Sequence, residues 1–318
     1  MKHVLEREKL MRLHTRETWR TGLARRWALR LPVVAFVGLM TAVTSAAAQG
    51  CQALLKPVPL AGLSEASGVA VGSRSAGTLW SHNDSGEPVL FAISPTGEVR
   101  GRTRVTGARV TDWEAMSAGP CPNGTCLYVG DIGDNSGKRR DITIYRVPEP
   151  DAGAGSTANA EAMRATYPEG PQDAEGLFVM PGGALFIVTK GEHGPVAVYR
   201  ASSFRGGATV QLERVASITP AREKGRGGVA EASKVTDASA SPDGRWIALR
   251  TKGAVRVFAA SELTVGTVRE VLTYDLEGLG ETQGEGVAVG NDGSVWLTSE
   301  GGGKGRPGSL ARLACSLP

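Results

Sequence analysis

Short stretches of alternating apolar and polar residues recur along the chain from about residue 64 to its end. In each stretch an apolar segment is followed by a turn sequence and by a second apolar segment that ends in polar residues. Alternation with a period of two, bounded by Gly, Pro, Asn and Asp, is typical of half-buried β-strands joined by tight turns. The pattern therefore predicts an all-β domain.

The stretches repeat at a spacing near fifty residues. The first strand of each repeat is EASGVAVG from 65, DWEAMSAG from 112, DAEGLFVM from 173, TDASASPDG from 236 and GEGVAVGNDG from 284. Aligned at Ser67, Glu114, Glu175, Ser239 and Glu285, the repeats are 47, 61, 64 and 46 residues apart. A period near fifty is typical of β-propeller blades. We predict a β-propeller with five four-stranded blades, and six blades are the alternative because repeats two and three are long.

Each repeat also contains a second and a third strand, such as CLYVGDI and ITIYRV in repeat two. The first four repeats have a fourth strand, predicted at VRGRTRV, MRATYP, VQLERVASI and REVLTYDL, whereas the fifth has no chain left for one. The segment CQALLKPVPL, which precedes the first repeat, can supply it. We therefore expect the N-terminal strand to close the ring.

The first 48 residues have the composition of an export signal. Residues 1–30 hold nine Lys and Arg against three Glu, and an apolar run, LPVVAFVGLMTAV, and an Ala46-x-Ala48 cleavage pattern follow. Subtracting this +6 from the chain's +4 leaves a net charge of −2, which argues against nucleic acid as a partner. We expect a signal peptide over 1–48, a single domain over 49–318, and a secreted or periplasmic monomer with no stable membrane insertion after cleavage. An uncleaved anchor and a lipid anchor on Cys51 remain the alternatives.

Four cysteines follow the predicted cleavage site, and an even number in an exported chain indicates disulfides. Cys121 and Cys126 flank the tight-turn sequence PNGT, which brings its two ends side by side. Cys51 and Cys315 then remain as the second pair. That bridge would join the two ends of the mature domain, as closure by the N-terminal strand requires.

Polar residues cluster where first strands begin and second strands end. Adjacent strands of a blade run antiparallel, so these two places lie at the same end of each sheet. Because first strands line the channel of a propeller, we expect the carboxylates to converge on one of its mouths. The candidate metal ligands are Asp84, Asp112, Glu114, Asp131, Asp134, Asp173, Glu175, Glu285 and Glu300.

Carboxylates in a ring repel one another unless cations neutralise them. Asp, Glu and Asn oxygens with few His or Cys nearby suit Ca²⁺ better than Zn²⁺, so Ca²⁺ is the predicted cofactor. The alternative is that these side chains cap backbone amides of the channel and pair with basic neighbours. His82 and His193 fit hydrogen-bonding roles in loops better than roles as ligands.

DAEGLFV…GGALFIVTKG and GEGVAV…GSVWLTSEGG resemble the repeat signature of the calcium-dependent β-propeller phytases and their phytase-like, "esterase-like" relatives. WSHNDSG, DWEAM and YVGDIGDN more closely resemble an uncharacterised family of secreted bacterial propeller proteins. The resemblance implies a calcium-lined channel mouth and phosphomonoester hydrolysis. It implies Asp173, Glu175 and Glu285 as metal ligands and Lys190 as a phosphate-contacting cation. The six blades of the phytases are a departure from the five repeats found here.

Two functions follow from these expectations. The first is a metal-dependent phosphoric monoester hydrolase, in which Asp173, Glu175 and Lys190 act on a small anionic substrate and Arg250 and Lys252 help to hold it. The second is a non-catalytic propeller whose mouth binds a ligand or a protein. The chain contains no G-x-S-x-G nucleophile elbow, no HExxH and no GxxxxGK[ST] phosphate loop.

Overall fold

The computed structural model describes residues 50–317, apart from 75, 221–228 and 304. These residues form an all-β five-bladed propeller, which confirms the predicted fold. The only α-helix in the described part of the chain is the four-residue α1 (Ala260–Leu263), and a 3-10 turn covers Glu231–Ser233. None of the described helices is long and apolar enough to span a membrane. The predicted signal peptide lies outside the described residues.

Four strands of each blade form an antiparallel sheet, and they are successive in the sequence except in blades 3 and 5. Blade 1 contains β2 (Ala66–Val71), β3 (Leu79–Asn83), β4 (Val89–Ile93) and β5 (Val99–Arg104). Blade 2 contains β6 (Trp113–Cys121), β7 (Gly124–Asp131), β8 (Ile142–Pro148) and β9 (Glu161–Thr166). Blade 3 contains β10 (Ala174–Val179), β11 (Leu185–Thr189), β12 (Val196–Ala201) and β14 (Glu213–Ile218). Blade 4 contains β15 (Val235–Ala240), β16 (Trp246–Thr251), β17 (Ala254–Ala259) and β18 (Glu270–Asp275).

Blade 5 is completed by the N-terminal strand, as the sequence predicted. Its order is β19 (Gln283–Val289), β20 (Ser294–Glu300), β21 (Gly308–Ser316) and β1 (Gly50–Leu60). Cys51 lies directly opposite Cys315 in the β1–β21 register and is bonded to it. The Cys121–Cys126 disulfide closes the turn between β6 and β7. Both predicted disulfides are confirmed.

One predicted strand is divided in two. The sequence VQLERVASI was expected to form the fourth strand of blade 3, but only β14 does so. The short strand β13 (Thr209–Gln211) instead pairs in parallel with β9 of blade 2, which makes that sheet five-stranded. The chain therefore leaves blade 3, pairs with the outer edge of blade 2, and then returns to supply the fourth strand of blade 3.

The core is divided among the five junctions between neighbouring blades. One buried apolar cluster fills each junction, and Trp80 with Trp113, for example, lies between blades 1 and 2. The inner strands β2, β6, β10, β15 and β19 form a closed ring around the channel. A side chain at Gly68 would collide with the backbone of Ala115 and Met116 in the next inner strand. A similar close approach explains the glycines at the equivalent positions of blades 3 and 5, Gly176 and Gly286.

Candidate functional site

The five inner strands share a register break at the same mouth of the channel. The breaks fall between Ala66 and Val69, Trp113 and Ala115, Ala174 and Gly176, Val235 and Asp237, and Gly284 and Val287. A bulge of this kind re-aims the residue that it leaves unpaired. The residues at the equivalent bulged position, called the bulge ring below, are Ser67, Glu114, Glu175, Thr236 and Glu285.

The bulge ring corrects the sequence alignment of the fourth repeat. Ser239 was aligned with the glutamates, but the strand register places Thr236 there, three residues earlier. Two of the ring's hydroxyls join neighbouring blades: Ser67 Oγ donates to Glu114 O at 2.6 Å, and Thr236 Oγ1 donates to Glu285 O at 2.8 Å. Ser and Thr therefore tie the blades together, and the other three positions bring glutamates to the mouth.

The three glutamates of the ring are almost completely buried. Glu114, Glu175 and Glu285 are 9%, 3% and 8% exposed. Burial raises the pKa of Glu114 well above its ordinary value, and repulsion from Glu175 and Asp112 adds to the increase. Burial also raises the pKa of Glu285, although its Oε1 accepts a hydrogen bond from Gln283 at 2.9 Å. Raised carboxyl pKa values grouped in one concave place are typical of functional sites.

Lys190 provides the ammonium group on the blade 3 side of the mouth. Its Nζ lies 2.6 Å from Glu175 Oε1, 3.4 Å from Asp173 Oδ2 and 3.2 Å from Asn135 Oδ1. Burial opposes the charge of Lys190, but Glu175 and Asp173 raise its pKa. Burial raises the pKa of Glu175 to about 8, although Lys190 acts in the opposite direction. The three residues predicted to be catalytic are therefore in direct contact.

Asp131 and Asp134, from the sequence YVGDIGDN, hold the loop that follows β7. Asp131 accepts hydrogen bonds from the amides of Thr111 and Asp112 at 3.1 and 3.2 Å, and Arg139 Nη1 lies 2.8 Å from its Oδ1. Asp134 accepts from the amides of Lys138 and Arg139 at 3.0 and 2.8 Å. These carboxylates cap amides and pair with a basic neighbour, which is the alternative that the sequence left open.

Asp112 interacts electrostatically with carboxylates on two sides of the mouth, Asp173 and Asp84. Burial raises its pKa, repulsion from Asp173 adds to the rise, and Arg139 opposes it. The amide of Asp134 donates to Asp173 Oδ1 at 2.8 Å, so that blade 2 is attached to the start of blade 3. The fields of the carboxylates therefore overlap across neighbouring blades, as the prediction of a common mouth requires.

On the side of the channel mouth that blades 5 and 1 form, carboxylate groups exceed cationic groups. Burial raises the pKa of Asp84 to about 6, with repulsion from Glu65 next in importance. Burial raises the pKa of Glu300 to about 7, and Glu285 and Asp84 add to it. Asp84 Oδ1 is buried and has no hydrogen-bond partner. Lys252, the cation that opposes the shift of Glu300, lies 2.5 Å from Glu231 and is partly neutralised there.

Arg250 does not hold an anion at the mouth, contrary to expectation. Its side chain is 0% exposed, and Nη1 donates to the carbonyls of Gly286 and Thr298 at 2.8 and 2.9 Å. Nη2 pairs with Glu281, a partner that the sequence reasoning missed although it lies in the acidic stretch just before β19. Arg250 therefore joins blades 4 and 5.

The two histidines have different surroundings. His82 is fully buried, its Nδ1 lies 3.1 Å from Asn83 O, and its ring meets Trp113 edge to face. Burial lowers the pKa of His82 to about 4, so the ring is neutral at ordinary pH. His193 lines a cleft of about 480 Å³ beside Lys190 and Asp173.

The donor set of the mouth is suited to a hard cation, because all of its charged oxygens are carboxylate oxygens. Within the described ranges, however, no group of three or more His, Cys, Asp or Glu side chains is already arranged to hold a metal ion. Asp84 Oδ1 has no hydrogen-bond partner, and Glu65 and Glu300 lie close by. An added cation would therefore reduce the repulsion among carboxylates most at this position.

Fold and mouth together define the molecule as a five-bladed β-propeller with a carboxylate-rich channel mouth. No protein-family model and no curated protein matches the chain. A solved structure similar to it is the PQQ-bound aldose sugar dehydrogenase of Streptomyces coelicolor, with 12% identity, a TM-score of 0.48, and coverage of 84% of this chain and 98% of that one. Another is XC5397 of Xanthomonas campestris, described as a gluconolactonase, with 14% identity, a TM-score of 0.46, and coverage of 80% and 73%.

A third similar structure is a glucose dehydrogenase, with 12% identity, a TM-score of 0.47, and coverage of 84% of this chain and 100% of that one. Similarities at this level assign neither an activity nor a substrate to the chain. None of the three proteins is a phytase, so the comparisons do not confirm the resemblance to that family.

Proposed function

We propose that the acidic mouth binds Ca²⁺ and that the protein, secreted or periplasmic, hydrolyses a phosphomonoester there. The observation that carries the proposal is the unpartnered carboxylate oxygen of Asp84, which is buried beside Glu65 and Glu300 on the side of the mouth where carboxylates exceed cations. A buried polar atom without a partner costs free energy, and a bound cation removes that cost.

Asp84, Glu65 and Glu300 are the residues that would hold the ion, with Glu285 and Asp112 at the edges of the site. Their side chains would have to turn toward a common point, because they are not grouped for coordination as they stand. Among the other predicted ligands, Asp131 pairs with Arg139, Asp134 caps a loop, and Glu175 pairs with Lys190. When bound, the ion supplies positive charge that neutralises the oxygens of a phosphate group.

Lys190 and Glu175 contribute the chemistry of the chain itself. A carboxyl group with a pKa of about 8 keeps its proton at neutral pH and is suited to donate it to the oxygen of a leaving group while a water molecule adds to the phosphorus atom. When Glu175 is protonated, only Asp173 balances the ammonium of Lys190, at 3.4 Å. Lys190 then retains charge with which to hold an anionic substrate. Asp173 acts as the positioning residue, because it also anchors the loop of Asp134.

The first test measures whether Ca²⁺ stabilises the fold. At a Ca²⁺ concentration a hundredfold above the dissociation constant, mass action stabilises a protein by about 2.7 kcal/mol. For a domain of this size that corresponds to a rise of about 5 °C in melting temperature over the chelated sample. The double variant Asp84→Asn with Glu300→Gln should lose this response, whereas Glu213→Gln, on the exposed outer strand β14, should keep it.

The second test measures hydrolysis of p-nitrophenyl phosphate and of phytate with and without Ca²⁺. Turnover that requires Ca²⁺ and disappears in Glu175→Gln would support the phosphomonoesterase. If EDTA leaves the melting curve unchanged and elemental analysis finds no bound metal, the calcium site is rejected. The carboxylates then serve only for capping and pairing.

One observation favours a second function, that of a non-catalytic propeller that binds a ligand at this mouth. Lys190, Asp173 and Glu175 already satisfy one another, and such a closed ion-pair group can be purely structural. Stabilisation by Ca²⁺ without turnover of either phosphomonoester would decide in favour of the binding module.

A further inference from the structure

The opposite end of the channel contains a cavity of about 770 Å³. Its wall is formed by the ends of inner strands and by the turns that follow them, and all five blades contribute. In the sequence, this end shows mostly Gly, Pro, Asp and Ser turns. Arranged in a ring, these turns surround a common space that is partly open to solvent.

This cavity is separate from the acidic mouth. Ser117, which lines it, follows Glu114 of the bulge ring by three residues on β6. At a rise of roughly 3.3 Å per residue, the two levels are about 10 Å apart along the channel. None of the carboxylates of the acidic mouth lines the cavity.

Two hydroxyl groups on the cavity wall, those of Ser117 and Ser239, are already used by the fold. Ser117 Oγ accepts a hydrogen bond from the amide of Val179 at 3.1 Å, which joins blades 2 and 3. Ser239 Oγ accepts from the amide of Val289 at 3.3 Å, which joins blades 4 and 5. Neither hydroxyl needs a ligand to complete its bonding.

The charged residues of the lining form a pair at the rim. The guanidinium of Arg312 lies 4.7 Å from the ring centroid of Trp296, donates to Ser294 Oγ at 2.6 Å, and lies 3.5 Å from Asp292 Oδ2. Asp292 partly neutralises Arg312, although Arg312 Nε has no hydrogen-bond partner. A charged ligand would lose its hydration in this cavity and would meet only a cation that is already partly neutralised.

Small side chains leave the interior open, and the turns hold it in shape. Ala118 and Ala240 lie on the wall. Pro120, near the end of β6, and Pro181 and Pro242, in the turns after β10 and β15, lie at equivalent positions of three successive blades. Proline fixes its own backbone torsion and stiffens such turns. Cavities of roughly 300–1,000 Å³ with mainly apolar walls are the usual size and type of small-molecule sites.

We propose that this cavity, called the apolar pocket below, is a binding site for a small, uncharged and largely apolar molecule such as an aromatic or short acyl compound. The site is distinct from the acidic mouth, and its occupancy does not depend on Ca²⁺. It would give the propeller two ligands of opposite chemistry, one at each end of the channel.

The test uses the protein as its host exports it and the neutral probe N-phenyl-1-naphthylamine, whose fluorescence rises in apolar surroundings. We expect saturable binding with one site per chain, unchanged by Ca²⁺ or EDTA. Ala118→Phe and Ala240→Phe each enlarge a side chain of the pocket wall and should weaken binding at least tenfold. Ala158→Phe, an exposed position outside the pocket, is the matched control and should bind as the wild type does.

Two further measurements on the wild type do not depend on how the variants fold. Hydrogen exchange with the probe present should slow in residues 116–120 and 239–242 and stay unchanged in residues 131–135. The sulfonated analogue 1-anilinonaphthalene-8-sulfonate should bind more weakly than the neutral probe. The proposal is overturned if the neutral probe does not bind, if the sulfonate binds as well, or if protection appears at the acidic mouth instead.

Discussion

Replacing Lys190 by methionine tests whether the mouth depends on a built-in cation. The Lys190 side chain is 16% exposed and that of Glu175 is 4% exposed, so the ion pair at 2.6 Å is largely removed from water. Breaking a buried pair by removing one partner costs roughly 3–5 kcal/mol, because the other charge is left uncompensated. Lys190 retains some contact with solvent, so we expect about 3 kcal/mol when the carboxylates are ionised.

This cost should depend on pH in a direction that the carboxyl pKa values determine. Burial raises the pKa of Glu175 to about 8, from an ordinary value of 4.5. A carboxyl group whose pKa is higher in the folded state contributes stability that is present below its unfolded pKa and is lost as the pH rises through the folded one. In Lys190→Met the ammonium group is absent, so the pKa of Glu175 rises further. The variant should therefore be almost as stable as the wild type at pH 5 and most destabilised at pH 9.

The assay is thermal unfolding at pH 5, 7 and 9. At about 2 °C per kcal/mol for a domain of this size, Lys190→Met should melt about 6 °C below the wild type at pH 9 and within about 2 °C of it at pH 5. Lys56→Met, in the exposed part of β1, is the control and should change little at any pH.

A double variant separates the ion pair from a simple packing defect. Adding Glu175→Gln to Lys190→Met removes the uncompensated charge and should recover part of the stability at pH 9. The reasoning is refuted if Lys190→Met has the same melting temperature as the wild type at pH 9. It is also refuted if the difference in melting temperature is the same at pH 5 and pH 9.

Two other predictions concern the ends of the chain. Intact-mass measurement of exported protein should give an N-terminus near Gln49; a retained leader or a diacylglycerol adduct on Cys51 would contradict the predicted signal peptide. In the chain-entropy model the long loop closed by Cys51–Cys315 contributes about 5 kcal/mol and the short loop closed at Cys126 about 2. Cys315→Ala should therefore lower the melting temperature more than Cys126→Ala, and equal losses in calorimetry would argue against a stabilising latch.

The sequence alone determined the architecture, because a propeller repeats a local pattern. Alternating strands and a period near fifty residues define the blades without any long-range information. The missing fourth strand of the last repeat, together with Cys51 and Cys315, then indicated the closure seen between β1 and β21. The common mouth followed from the antiparallel order of strands within a blade.

The tertiary structure decided which of the polar residues are free to act. Thr236 replaced Ser239 in the ring because a bulge, which leaves little trace in the sequence, sets the strand register. Arg250 was expected at the mouth but is buried against Gly286, 36 positions away in the sequence. Asp131 ends β7 and Asp84 directly follows β3, the second strands of blades 2 and 1, yet one meets Arg139 and the other keeps an unpartnered oxygen.

The two ends of the channel also differ in how far the sequence predicts them. Acidic residues are conspicuous in the sequence, so the acidic mouth could be predicted. The apolar pocket could not, because its wall consists of backbone, small side chains and turns that look ordinary one at a time. Only closure of the ring places these turns around a common space. Local pattern specifies each blade, whereas the cavity is formed by turns from blades that the chain reaches about fifty residues apart.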